Sequence, residues 1–416
     1  AASDVYKRQI RVVHKPTGST GEFFTEFPVC CNTTRHAGVK ATFVYDASLV
    51  ESYNAEHKTS YAALPAEYLT LENTTLTVPE NATASADSVK VTLTGDLSLL
   101  TERNYLAPLR IKAEGIDASE VMGAVYVAVA TEINLIRAIE STDDMVGFTA
   151  TGRSAWTADC GNYANLFDGS TSTSVDFPEQ YGNVLNIDMK EQQLVTGLCL
   201  GYGSVPSVSI EYSADGENFS QAGTPVAGEY VTGGSRMYAA FHGHIEARYL
   251  RLTVGFSSSW SKTLSEIDIY KIDSEDPTVY AVTGTENLIT GKITHRQTGS
   301  TSDVNASFSA YATVASTSGY TVSVAADNSL VAAYNTAHGT SYAALPAEYL
   351  QLDNNPLTIA AGAYKSEGEV TVSLKGDLTR LSDLNGYLAP LKLSSSGAGT
   401  SAGRGVVYLA VKVERN

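Results

Sequence analysis

The chain has two tryptophans, Trp156 and Trp260, and both fall in stretches rich in serine or glycine rather than on alternating strand patterns. Sugars present C–H faces that pack on aromatic rings, while their hydroxyls are met by charged or amide groups around the rim. Trp260 and Trp156, with Arg153, Tyr163, Tyr202 and Arg236 in neighbouring loop stretches, are therefore the candidate ligand-binding residues. A lone tryptophan serves packing more often than it serves as a platform, and Trp260 is the stronger of the two.

Other reactive side chains lead less far. His242 and His244 are two apart, so they share a strand face and have the spacing of a metal pair, but no third ligand is near them in sequence. Cys30 and Cys31 are adjacent and would face opposite sides of a strand, as ordinary strand residues. Cys199 lies in an apolar run and reads as core; Cys160, in a loop-like stretch, either pairs with it or stays free. Asp143 and Asp144 suit a solvated linker better than a glycosidase pair held at a set separation. No serine nucleophile elbow, phosphate loop or catalytic cysteine setting stands out, so no catalytic residue is assigned and the chain reads as a non-enzyme.

The elements that must hold these residues are marked by a duplication. Thr59 to Leu69 reads TSYAALPAEYL, and so does Thr340 to Leu350. The spacing is far beyond the periods of about 20 to 50 residues that build solenoids. The match extends at nearly constant offset from His14 and His295 through Tyr53, Asn54 and Tyr334, Asn335 to the two YLAPL segments at Tyr105 and Tyr387. Each copy is about 120 residues, a usual domain size. In the first copy, Ala41 to Tyr45, Val89 to Leu93, Leu106 to Ile111 and Ala124 to Val129 alternate as strands. Leu49, Val50 and Tyr53 fall at helical spacing, which predicts a short helix crossing the end of a sheet, its Asn54 capping the turn. His57 and His338 recur at equivalent places, which favours a structural role. Between the copies, Val184 to Asp188, Leu194 to Leu200, Ser207 to Tyr212, Tyr249 to Val254 and Glu266 to Tyr270 are strand candidates separated by Gly, Ser and Asn turns, the pattern of a jelly-roll-like sandwich.

Composition narrows the function classes. A formal net charge of −17 leaves no basic stripe for phosphates, which excludes nucleic acid as a partner. No apolar run reaches the roughly 18 residues needed to cross a bilayer. Abundant Gly, Ser, Thr and Tyr with sparse charge suit a β-rich extracellular protein.

The repeated pattern of an apolar pair, Tyr-Asn, Tyr-x-x-Leu-Pro-x-x-Tyr and Tyr-Leu-x-Pro-Leu resembles a domain of Bacteroidetes surface proteins that also occurs at the N-terminus of some secreted endo-β-N-acetylglucosaminidases. In the first copy it is carried by Leu49, Val50, Tyr53, Asn54, Tyr61, Leu64, Pro65, Tyr68, Tyr105, Leu106, Pro108 and Leu109. The resemblance implies an immunoglobulin-like β-sandwich in an extracytoplasmic, glycan-related setting. In the middle, NLFDGSTST from Asn165, LNID from Leu185, IEYSADGENF from Ile210, RYLRL from Arg248 and LSEIDIY from Leu264 resemble, in order and spacing, the discoidin or coagulation factor 5/8 C-terminal domain, which includes the family 32 carbohydrate-binding modules. That resemblance implies a structural calcium held by Asp168, Thr173 and Glu266 with backbone carbonyls. Ser170 stands where the family commonly has a second acid, and Val175 near the place of a family aromatic.

The expectation is an all-β chain of three consecutive β-sandwich domains: immunoglobulin-like over 1–137, discoidin jelly-roll over 138–274, immunoglobulin-like over 275–416. Its function would be non-catalytic binding of a glycan or polysaccharide by the central domain, on the bacterial outer surface or in secreted form. The chain would be a monomer, with a lipid anchor upstream where one exists. The alternatives are a structural or adhesion protein with a protein partner, and an accessory region of a glycoside hydrolase.

Overall fold

The computed structural model describes residues 7–34, 37–114, 123–202, 206–284 and 286–415. The fold is all-β and forms two compact units, one ending at Leu135 and the other beginning at Ile136.

In the first unit, the larger sheet runs in the order Gly18–Glu22, Lys7–Lys15, Ala124–Ile133, Asn104–Glu114, Val39–Tyr45, Thr75–Val78. Lys7–Lys15 lies parallel to Ala124–Ile133, and the remaining neighbours in this order are antiparallel. A second sheet sets Val89–Leu93 between Phe24–Phe27 and Leu69–Glu72. Alternation sends one face of each strand inward, so Val39, Ala41 and Phe43 meet Val89, Val91 and Leu93 in a single apolar core. The predicted helix is present as Leu49–His57 and buries Val50 and Tyr53. Asn54 ties down the segment beyond it: its Oδ1 accepts from the Tyr61 N–H at 2.9 Å and the Thr59 hydroxyl at 2.9 Å, and its Nδ2 donates to the Tyr61 carbonyl at 2.8 Å. The shared peptide then sends Leu64 into the core.

The second copy, within the other unit, repeats this arrangement. Its larger sheet runs Gly299–Ser302, Leu288–Arg296, Val406–Arg415, Tyr387–Ser395, Tyr320–Ala326, Leu357–Ile359. Asn335 makes the same three bonds, to the Tyr342 N–H, the Thr340 hydroxyl and the Tyr342 carbonyl. His14 Nε2 donates to the Leu100 carbonyl and its Nδ1 accepts from Ser19; His295 does the same with Leu381 and Ser300. His57 and His338 lie against Tyr53 and Tyr334 at 4.3 and 4.2 Å between ring centres. These duplicated histidines and asparagines are packing residues.

The middle domain is built on long antiparallel strands. Two predicted strands, Val184 to Asp188 and Leu194 to Leu200, are halves of one strand, Asn183–Tyr202, broken by an irregularity between Asp188 and Gln193. Asp188 Oδ1 accepts from the Lys190 N–H at 2.8 Å and Lys190 has φ +70°, a local turn that lets one strand bend between layers. Its neighbours are Arg236–Phe256 and Thr263–Ile272, with Pro206–Ser213 beyond the former.

Within the second unit the middle domain is docked on the adjoining outer copy. Tyr280 is fully buried; its hydroxyl accepts the Gly147 N–H at 2.6 Å, and its ring meets Phe148 edge-on and stacks on Tyr311. Gly147 has φ +89°, and a Cβ there would stand 2.2 Å from the Lys271 carbonyl oxygen, so only glycine fits. Asp273 Oδ2 accepts from the Ser401 hydroxyl and the Gly403 N–H, both at 2.7 Å. Of the acidic pair expected in a solvated linker, Asp143 is exposed, and both also have partners. Asp143 pairs with Lys365 at 2.8 Å, and Asp144 Oδ2 accepts from the N–H groups of Glu140 and Ser141.

Candidate functional site

The two tryptophans, alike in sequence setting, have opposite environments. Trp156 is 3% exposed and its ring meets Phe167 edge-on at 5.6 Å. It is a core residue and presents no face to a ligand, which corrects its assignment as a platform. Trp260 is 96% exposed. It stands on the turn between Arg236–Phe256 and Thr263–Ile272, where the Ser258 hydroxyl accepts its N–H at 3.1 Å. Lys262 fastens the base of this turn: its carbonyl accepts the Phe177 N–H at 2.8 Å and its ammonium reaches the Pro178 carbonyl.

The structure brings Arg153 and Arg236 together, though not as free rim groups. Both pair with Asp268: Arg153 Nη1 touches Oδ1, and Arg236 Nη1 lies 2.8 Å from Oδ2. The same Arg153 nitrogen lies 3.2 Å from Glu266 Oε1. Tyr163 is half-buried at the start of the turn Tyr163–Leu166. The side chain of Tyr202 lies outside the described residues.

The loop after that turn is closed on itself. Asp168 Oδ1 accepts from the Ser170 N–H at 2.8 Å, and Oδ2 accepts from the Thr173 hydroxyl at 2.7 Å. Glu266, on the neighbouring strand, is wholly buried, and its carboxylate is faced by the Arg153 guanidinium and the backbone N–H of Gly169. Burial pushes its carboxyl up, against the pull of the Arg153 charge. A calcium ion takes about six to eight oxygens around one point. Asp168 and Thr173 are tied to each other by one hydrogen bond and keep free lone pairs, but the guanidinium of Arg153 stands before Glu266, the remaining acidic ligand. As arranged, this donor set does not fit the ion.

Sequence reading passed over a second cluster on the sheet face of the same domain. Arg251 lies 3.6 Å over the ring of Phe219 and donates from Nε to Asn186 Oδ1 at 2.8 Å; Asn186 Nδ2 donates to Asp159 at 2.6 Å. Arg248 donates to both oxygens of Asp188 at 3.0 and 3.2 Å and holds that carboxyl down at about 2. Arg251, Phe219, Asn186, Asp159 and Asp188, with Tyr249 and Thr157, line a shallow concavity of about 490 Å³ that includes neither Arg248 nor Trp260. The signal was present, since Phe219, Arg248 and Arg251 belong to anchors quoted for the resemblance.

Among the described residues, His244, Glu246 and Glu275 bring ligand atoms within 4.8 Å of one another. The two glutamates are exposed, and Glu246 already accepts from Gln192 Nε2 at 2.7 Å. All four cysteines are free, Cys199 buried as expected.

A β-sandwich with long bent strands, set in sequence between two copies of another sandwich, makes this a modular all-β protein. The family models give the particular modules. A family model described as an N-terminal domain matches residues 3–117 and 273–399, the two repeated copies and more than half of the chain, and the chain belongs to that family. The F5/8 type C domain matches residues 149–266. Comparison with curated proteins returns no match. Among solved structures, a two-domain protein of unknown function from Bacteroides fragilis is 16% identical at a TM-score of 0.50, over 65% of this chain and 93% of that one. EndoBT-3987 of Bacteroides thetaiotaomicron is 22% identical at 0.26, over 35% and 33%. The family 32 carbohydrate-binding module of Clostridium perfringens NanJ, solved with galactose, is 14% identical at 0.26, over 30% and 98%. Among the described residues, no helix is long and apolar enough to cross a membrane.

Proposed function

We propose that the chain binds glycans without catalysis, outside the cytoplasm, through its F5/8 type C domain. The observation that supports this reading is the exposed ring of Trp260 on a fastened turn of a carbohydrate-binding-like module. Such a ring offers its faces to the C–H groups of a sugar with little loss of side-chain freedom, since its turn is already held. The outer copies act as spacers, on a bacterial surface or as accessory parts of a secreted glycoside hydrolase.

Glycan-array screening of the full chain followed by titration of the best ligand tests the reading. Trp260→Ala should lower affinity at least tenfold and leave the melting temperature unchanged, because the ring packs on nothing. Absence of any glycan signal, or equal binding by the variant, overturns it.

A protein partner is the second reading, favoured by one observation: Trp260 projects outward and lines no part of the concavity on the sheet face. A projecting aromatic suits insertion into a partner's pocket as well as stacking on a sugar. Loss of a protein partner on Trp260→Ala, with glycan binding intact, would select it.

A further inference from the structure

Arg153 occupies a place that charge and geometry make unusual. Glu266 and Asp268 are two apart on one strand, so they point to the same face, and both are buried. Two carboxylates cannot be buried side by side without compensating charge. Arg153 and Arg236 supply it, two positive groups against two negative ones. Asp168 stands near Glu266 as a third carboxylate, its oxygens accepting from the Ser170 N–H and the Thr173 hydroxyl, but a divalent ion added here would have to sit beside two guanidinium groups that already hold Glu266 and Asp268.

The placement of Arg153 is built from the backbone. Gly152 adopts φ +74°, a left-handed turn that starts the short helical turn Arg153–Ala155. The Arg153 carbonyl accepts the Trp156 N–H at 2.9 Å, and Trp156 is buried against Phe167, the residue before Asp168. Nη2 of Arg153 lies against Gly169, 3.5 Å from where a Cβ would stand. One side chain thus reaches from the Asp168–Gly169 loop to Glu266 and Asp268 on the strand.

We propose that Arg153 is a tethered cation that joins this loop to the sheet in place of a metal ion, so that the domain folds without calcium and gains a calcium dependence when Arg153 is neutralised. The inference is independent of what Trp260 binds.

Both tryptophans lie in this domain, so tryptophan emission follows its unfolding in the full chain. The wild type should melt at the same temperature in excess EGTA and in millimolar calcium, and terbium should give no luminescence sensitised by Trp156. Arg153→Gln should melt several degrees lower in EGTA, recover in millimolar calcium, and give sensitised terbium emission. Arg153→Lys keeps the charge and should stay indifferent to calcium. A calcium-dependent rise in the wild-type melting temperature overturns the proposal, as does a folded Arg153→Gln that ignores both ions. Should that variant fold in neither condition, the wild-type result decides.

Discussion

The two outer copies agree down to single hydrogen bonds, yet their surfaces have parted. Where the second copy carries Tyr311, Tyr364 and Lys365, the first carries Cys30, Thr83 and Ala84 at matching positions. The same bridge joins Tyr311 to Lys365 in one and Cys30 to Ala84 in the other. In the second copy, Tyr311 stacks on Tyr280, Tyr364 lies under the guanidinium of Arg137, and Lys365 pairs with Asp143. A sandwich's inward residues fix its register and packing, so they were retained; its outward residues answer only to what touches them. A few outward residues on one strand and the segment bridged to it are what the second copy sets against the middle domain.

The comparison is broken most forcefully at Tyr280. Tyr280→Ala removes a fully buried ring and leaves the Gly147 N–H without its acceptor, a loss of about 3 to 5 kcal/mol. Calorimetry with tryptophan emission should show the second unit melting earlier and the first unit unmoved. A shift in both, or in neither, contradicts the division into two units and the docking role.

Leu64 and Leu345 sharpen the comparison instead. Each is buried in the shared peptide and donates its N–H across to an equivalent carbonyl, Leu106 at 3.0 Å and Leu388 at 2.9 Å. Truncation to alanine should cost about 2 to 5 kcal/mol in either copy. Denaturant titration should find the two losses similar; a clear inequality would mean the cores differ where they look alike.

The smallest effect is electrostatic. Bonds from Ser48 and Arg110 hold the Asp46 carboxyl below its ordinary value, and bonds from Ser329 with the charge of Lys392 do so for Asp327. A carboxyl depressed in the folded state stabilises above its unfolded value of about 3.9, and that contribution disappears as pH falls through the folded one. Asp46→Asn and Asp327→Asn should each flatten the acid limb of the stability profile. The change should be larger in the first copy, where Arg110 Nε lies 2.8 Å from its partner against 3.8 Å for Lys392. High salt should shrink the difference.

Architecture was legible because repetition and alternation are written along the chain. The Tyr-Asn and Leu-Pro pattern of each copy could be matched residue by residue, and strands such as Val89–Leu93 keep a strict period of two. The site was legible only in part. Trp156 and Trp260 share the same kind of local sequence, and what separates them is Phe167, which approaches one ring and not the other. The pairing of Arg153 with Glu266 and Asp268 joins residues on opposite sides of the domain's sequence, and no local pattern encodes it. Docking on the second copy was likewise hidden, because Tyr280 and Asp273 look like linker residues until the surface they meet is known.

The shared peptide also sets a problem of timing. Thr59–Leu69 and Thr340–Leu350 are interchangeable as text, so either could settle into the slot made for the other, the kind of exchange that misfolds proteins with repeated domains. Synthesis removes the ambiguity. At about 5 to 20 residues per second, the first slot has tens of seconds to close around its own leucine before the second copy of the peptide leaves the ribosome. The intervening domain, whatever it holds, is also a delay line.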